Sequence, residues 1–427
     1  MLSYKIVFMR ISHVKIENFR AIQNLDFECG ERINVFVGVN GAGKSTFLSA
    51  LNYLFSWFFA RIKNAKGRGT FLTDKDITIG EKYCSIELTL DDGTSWKLYK
   101  QKSMDRSIPL EKTELDKLTS FVNNIVHSYN TDPKHCVLPL FVSYGVNRTV
   151  TDMPVRLRKK HAFDPMQVYD MPVSNSLNFR DFFEWYRERE DIENEKYRRS
   201  GSLVEDSQIK AVREAISQIM PGYGNFRVQR NPRAVVMDKG DTTFYFEQFS
   251  EGEKCYITLV SDIARRLAIA NPNTENPLDG KGIVLIDEVD LHLHPTWQSE
   301  VVARLRKTFS SCQFFLTTHS PHIVSNIKTY DNEKFVPMEQ GAILQSGLKP
   351  FGQPIDLILL NSFQMKGLRN QEIQEYIEKL WSSLERKEYE TDEFNRNFEW
   401  LKRHLDPSDE EFVRIMLEKA KLKKEAR

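Results

Sequence analysis

Long apolar runs are missing from this sequence, and so is any imbalance of charge. No uninterrupted apolar stretch approaches the roughly 20 residues that a membrane-spanning helix needs. Residues 1–10 are too short and too polar for a signal peptide. Lys and Arg number 60 against 59 Asp and Glu, a net charge of +1, so bulk charge points to neither a nucleic-acid nor a membrane partner. Cysteine is sparse: Cys29, Cys84, Cys136, Cys255 and Cys312 are scattered and form no C-x-x-C pair. That pattern argues against a disulfide framework and a cysteine zinc site, and it suits reduced thiols in a cytoplasmic protein. Sustained heptads are lacking too, so no long coiled-coil arm is encoded. What remains is 427 residues, enough for roughly two or three domains with ample core-forming material.

Against this plain background one stretch stands out: Gly38-Val39-Asn40-Gly41-Ala42-Gly43-Lys44-Ser45-Thr46. It fits G-x-x-x-x-G-K-[ST], the loop that cradles phosphates. The apolar run Ile33-Asn34-Val35-Phe36-Val37 precedes it, and residues 47–54 follow with helical spacing. Gly38, Gly41 and Gly43 free the backbone to curl so that successive N–H groups face an anion. The helix opening near Lys44 adds the positive end of its dipole. Lys44 then reaches the β- and γ-phosphates of a nucleotide, and the Ser45 hydroxyl reaches Mg²⁺. A purely structural glycine turn is the alternative.

Further along, Gly282-Ile283-Val284-Leu285-Ile286-Asp287-Glu288 reads as a buried strand ending in two carboxylates. Downstream of a P-loop, Asp287 is placed to hold Mg²⁺ through water and Glu288 to polarise the attacking water. A mere strand end is the bland alternative. Ser250 and Glu253 form a capping-box pattern ahead of a helix. A last strand, residues 313–318, ends at His319.

The order of these pieces carries a resemblance. I-x-x-F-R-x-I-x-x-L, residues 16–25, just ahead of a P-loop, is similar to the first hairpin of ABC-type ATPases of the RecF, SMC and OLD group. That likeness implies that Phe19-Arg20 lies near the nucleotide; a surface arginine is the competing reading of Arg20. Phe249-Ser250-Glu251-Gly252-Glu253-Lys254 resembles the ABC signature motif, which lies upstream of the Walker B strand. By that resemblance Ser250, Gly252 and Glu253 belong to the nucleotide site, closing over the γ-phosphate held by the other subunit. His319 takes the place of the family's switch histidine, able to sense hydrolysis.

Two departures accompany the match. In Asp287-Glu288-Val289-Asp290-Leu291-His292-Leu293-His294-Pro295, His294 stands where the D-loop normally carries aspartate, and no Q-loop glutamine is visible. Asn147-Arg148 is the candidate for that second role. The string resembles OLD-like defence ATPases more than transporter subunits. Together with Tyr144-Gly145-x-Asn147-Arg148, residues 179–185 and a helical C-terminus, it looks like the PtuA ATPases of Septu and retron anti-phage systems.

The expectation is therefore an α/β chain, an ABC-type P-loop NTPase with a mixed β-sheet core, a helical insert and a helical C-terminal extension. Residues 1–148 form the first half of the ATPase, 149–232 the insert, 233–348 the second half, and 349–427 the region that docks a partner. The resemblance implies ATP and Mg²⁺ as cofactors, slow regulatory hydrolysis, and a homodimer or higher even oligomer formed through the ATP sites. It also implies a separate HNH-type nuclease held on residues 370–427. The rival is a RecF- or SMC-like DNA-repair or clamp ATPase. Arg156, Arg158, Lys159, Lys160, Arg227, Arg230 and Arg233 keep nucleic acid open as a partner, with solvated surface as the bland alternative. No membrane partner is expected.

Overall fold

The computed structural model describes residues 9–102, 111–133, 136–148, 164–169, 173–174, 179–201, 205–330, 332–345, 347–365 and 367–425. The chain opens with a hairpin, β1 (Ile11–Phe19) and β2 (Ile22–Glu28), whose alternating pattern buries one face and leaves the other wet. β3 (Ile33–Val37) is buried at every position, as a central parallel strand must be. It feeds the P-loop and α1 (Lys44–Lys63), which buries Phe47, Leu51, Leu54, Phe55 and Phe58. β4 (Tyr83–Leu90) and β5 (Ser95–Gln101) extend the hairpin into an antiparallel sheet of order β2-β1-β4-β5. Past α1, residues 64–69 run as a loop that is exposed at Asn64, Ala65, Lys66 and Arg68, while Gly67 and Gly69 fold back so tightly on the helix that a Cβ would lie 2.0 Å from the Ala60 carbonyl and 2.6 Å from Trp57.

After α2 (Asp116–Thr131), β6 (Leu140–Tyr144) and the two-residue β7 (Val173–Ser174) return to the central sheet. α3 (Phe179–Ser200) buries Phe182, Phe183, Trp185 and Tyr186, and α4 (Ser207–Ile219) is capped by Asp206. They adjoin a meander of β8 (Tyr223–Arg230), β9 (Arg233–Lys239) and β10 (Thr242–Tyr245). The Tyr186 hydroxyl donates to the Phe226 carbonyl at 2.7 Å, and Glu190 accepts the Val228 N–H at 3.2 Å. The β8–β9 turn falls at the expected boundary between 149–232 and 233–348, so a hydrogen-bonded hairpin spans it.

α5 (Glu251–Ala270) leads to β11 (Gly282–Ile286), then α6 (Pro295–Gln298), α7 (Val301–Thr308), β12 (Cys312–Thr318) and α8 (Pro321–Val324). β13 (Glu333–Glu339) and β14 (Ala342–Ile343) complete a seven-stranded sheet of order β14-β13-β3-β12-β11-β6-β7. All neighbours in it run parallel except β13 and β14. Two buried amides tie this sheet to its surroundings, one of them reaching β1 of the first sheet. Gln313 donates to the carbonyls of Ile11 and Gly30 and accepts from the Ile11 N–H, each at 2.8 Å. Asn34 bonds Gly30 and the Phe314 carbonyl. With every such group satisfied, polar side chains in central strands act as cross-links.

The first compact unit is Met1–Ile358 and the second is Leu359–Arg427, the division falling inside α9 (Ile355–Ser362). The second unit is a helical triplet: α10 (Gln371–Glu385), α11 (Asp392–His404) and α12 (Glu410–Glu425). Its own core gathers Ile377, Leu380, Leu384, Phe394, Leu401, Phe412 and Ile415. No described helix is long and apolar enough to cross a membrane, and all five cysteines are free thiols.

Candidate functional site

Parallel strands deliver their loops to one edge, and the P-loop residues, Asp287, Glu288 and His319 all follow the carboxyl ends of β3, β11 and β12. The loop curls as its glycines predict: Gly38, Gly41 and Gly43 have φ of +156°, +81° and +102°. Gly43 ends the curl as the N-cap of α1, with Ser45 and Thr46 in the first turn. Asn40 and Gly41 lie exposed at the tip, and a Cβ at Gly41 would meet nothing. Lys44 is buried and bridges the loop, donating to the carbonyls of Gly38 at 2.9 Å and Val39 at 3.1 Å. Burial pushes its amine below the usual lysine range, opposed by Asp287, Glu288 and Asp290.

The carboxylate turn lies against this loop. Ser45 Oγ donates to Asp287 Oδ1 at 3.0 Å, and Thr317 Oγ1 donates to the same oxygen at 2.5 Å. Thr317 Oγ1 also accepts the Glu288 N–H at 2.7 Å. Glu288 has φ of +50°, a left-handed conformation that a non-glycine residue rarely holds. Half-buried His319 is kept below the ordinary histidine range by burial first and by the Lys44 ammonium second, so the imidazole is neutral near pH 7.

These residues fit a magnesium nucleotide. The glycine curl is a cradle that side chains would fill, and Asp290 Oδ1 is buried without a partner. Among the described residues no cluster of three His, Cys, Asp or Glu is arranged to hold a metal by protein ligands alone. Ser45 and Asp287 instead suit an oxygen-seeking ion that keeps phosphate and water ligands.

A second group gathers at the start of α5. Ser250 caps the helix in the box expected of it: its N–H and Oγ both donate to Glu253 Oε2 at 2.8 Å, and the Glu253 N–H returns to Ser250 Oγ at 3.3 Å. Glu253 is held further by the Tyr223 hydroxyl and by Lys239 at 2.7 Å. Burial opposes its charge, but Lys239, Tyr223 and Ser250 prevail and bring its carboxyl down to about 2. Gly252 packs against the turn after β11; a Cβ there would lie 2.1 Å from the His292 carbonyl oxygen. Ser250, Glu253, Lys239, His292, His294 and Trp297 line an open cavity of about 480 Å³, and no P-loop residue, nor Glu288 or His319, lines it.

Other expected residues find partners elsewhere. Arg20, at φ of +53°, pairs with Asp76 at 2.9 Å and lies over the Phe19 and Tyr53 rings. Arg148 donates to the Asp287 carbonyl at 2.7 Å and to that of Glu288, so its side chain serves the carboxylate turn. Arg227 pairs with Asp238 at 3.1 Å, and Arg230 with Asp191 at 2.5 Å. The cluster Arg156, Arg158, Lys159 and Lys160 lies outside the described residues. Sequence reasoning missed Thr317, the Lys239–Glu253–Tyr223 group and the β13–β14 turn. That turn backs the P-loop: the Gly341 N–H donates to the Ala42 carbonyl at 3.0 Å, and a Cβ on Gly38 would meet the Met338 carbonyl at 2.3 Å. The glycine at 341 was the available signal.

Comparison with known proteins agrees with this geometry. A family described as "AAA domain" matches residues 13–222, and one described as "AAA domain, putative AbiEii toxin, Type IV TA system" matches residues 173–325. The chain is 26% identical to the retron Ec83 probable ATPase of Escherichia coli over 96% of this chain and 86% of that protein. To Septu protein PtuA of Bacillus thuringiensis it is 23% identical, over 74% and 72%. Among solved structures, the SMC head domain from Thermotoga maritima covers 80% of this chain and 100% of its own at 13% identity, with a TM-score of 0.39. The chain is similar to a retron ATPase and to Septu PtuA over most of its length, and its strand, glycine loop and helix at residues 33–63 form a P-loop.

Proposed function

We propose that the chain binds and hydrolyses ATP as a head-to-tail pair and controls a separate nuclease in anti-phage defence. The observation that carries this is the 3.0 Å contact of Ser45 with Asp287, with Glu288 and His319 on the same sheet edge. In the mechanism, the P-loop N–H groups and Lys44 hold the β- and γ-phosphates. Glu288 accepts the proton of a water that attacks the γ-phosphorus as the bond to the ADP oxygen breaks. Ser45 and Asp287 would hold Mg²⁺, which when bound neutralises charge on the phosphate oxygens. Neutral His319 donates a hydrogen bond to the γ-phosphate side.

The Ser250 cavity, lined by none of those residues, supports a composite site in which a second copy supplies the signature turn. The retron and Septu relatives support the defence setting and a partner from a multi-component system, for which an HNH-type nuclease on the C-terminal unit is our reading. A DNA-clamp role would need cations other than Arg227 and Arg230, which are spent on carboxylates.

Complementation tests the pairing. Lys44→Ala and Ser250→Arg should each be inactive alone. Mixed one to one they should regain about a quarter of wild-type ATPase, because half the pairs are mixed and each has one intact site. A wild-type chain that binds no nucleotide refutes the activity, and a mixture that stays silent refutes the composite site. In cells, Lys44→Ala should lose phage protection.

A further inference from the structure

Arg148 follows the end of β6, one strand away from β11, and is 3% exposed. One terminal nitrogen, Nη2, donates to the carbonyls of both Asp287 and Glu288. Those carbonyls bracket the peptide on which Glu288 adopts its left-handed backbone. A strained residue persists only where its surroundings over-determine it. Here Thr317 grips the turn from β12, through Asp287 Oδ1 and the Glu288 N–H, and Arg148 grips it from the β6 side.

The arginine is not well served in return. Its Nε is buried without a partner, and its Nη2 bonds go to neutral carbonyls rather than to a carboxylate. Burial pushes the guanidinium below the usual arginine range, opposed by Cys255, Asp287, Asp290 and Glu288. A buried cation with an unmade hydrogen bond is a poor device for stability alone. Its two bonds nevertheless reach the one turn whose conformation aims the carboxylates.

We propose that Arg148 is a positioning residue for ATP hydrolysis, fixing the Asp287–Glu288 peptide so that the Glu288 carboxylate faces the P-loop. Both bonds leave Nη2, whose two N–H groups the guanidinium plane holds in fixed directions, whereas the donors of an ammonium rotate about its stem. The inference rests on the reading of Glu288 as the general base.

The test uses the full-length chain, with kcat and nucleotide Kd measured separately. Arg148→Ala should lower kcat about 10- to 100-fold, the range expected when a reacting group moves by about an ångström. Nucleotide Kd should stay within about twofold, because the hydrogen bonds of this side chain go to the carboxylate turn and not to the P-loop. Added ethylguanidinium should restore part of the rate and ethylammonium should not. Arg148→Lys should fall between the two. Unchanged kcat, a parallel loss of affinity and rate, or equal rescue by the two cations overturns the proposal. If Arg148→Ala fails to fold, a folded Arg148→Lys decides: wild-type kcat overturns it, reduced kcat at preserved Kd supports it. Glu288→Gln separates the two readings. Wild-type hydrolysis in Glu288→Gln sinks the base assignment, whereas slow Glu288→Gln with normal Arg148→Ala sinks the role of Arg148 alone.

Discussion

Replacing Gly252 by alanine sets two effects of opposite sign against each other. Helix propensity favours alanine by up to about 1 kcal/mol, less in a first turn. Packing opposes it: the new Cβ would lie 2.1 Å from the His292 oxygen and 3.2 Å from its carbonyl carbon. Ordinary contact needs about 3.4 Å, so helix and turn must part by roughly 1 Å, and overpacking of this kind costs about 1–3 kcal/mol. His292 cannot easily swing away, because its own φ is +63°. The net expectation is a loss of about 0–2 kcal/mol, small beside the consequence for the site. Displacing the signature turn by about 1 Å from the turn that carries Glu288 should lower ATPase about 100-fold. Thermal melting and ATPase assays on the full chain check both parts. Gly224→Ala is the control, since a Cβ there meets nothing. A Gly252→Ala chain that is more stable and equally active would show that helix and turn do not press on one another, and the reasoning would fail.

Two pH dependences go with the charges described above. His319 is held below its ordinary value of 6.5, so the ATPase rate should rise with pH along a limb centred below 6.5. His319→Gln should slow turnover and abolish that limb; a limb centred above 6.5 contradicts the assignment. Glu253 has a folded carboxyl at about 2 against 4.5 unfolded, so its contribution to stability is complete above 4.5 and is lost as pH falls toward 2. The melting difference between wild type and Glu253→Gln should therefore be full near pH 6 and shrink through about pH 4 to nothing near pH 2. A difference that stays constant from pH 6 to about pH 3 would rule out the ion pair with Lys239 as its source.

The legible parts of this molecule were those whose chemistry is local in sequence. A P-loop needs glycines at fixed spacing and a strand and helix on either side, so Gly38, Lys44 and Ser45 could be placed without coordinates. The buried strand running into Asp287 and Glu288 was legible for the same reason, as was the capping box at Ser250. Arg148 and Thr317 were opaque in role because each acts on the carboxylate turn from another strand, and strand order is not written in spacing. The weakly apolar residues 333–339 read as a strand, but nothing in their pattern shows that it pairs with β3 and backs the phosphate loop. The guanidinium of Arg20 is engaged by Asp76 and Tyr53, a pairing no motif displays.

Near the middle of α5, Asp262 is gripped by Arg265 and Arg266 and accepts the Tyr144 hydroxyl of β6 at 2.9 Å. From there to Ser250 the helix runs about 18 Å at 1.5 Å per residue. At the end of an arm that long, a tilt of about 3° moves the tip by about 1 Å. The placement of the Ser250 turn is thus an angular quantity, its tolerance set at a buried salt cluster roughly three turns along the helix. Substitutions around Asp262 would detune the distant turn the way a loosened pivot spoils the reading of a long pointer.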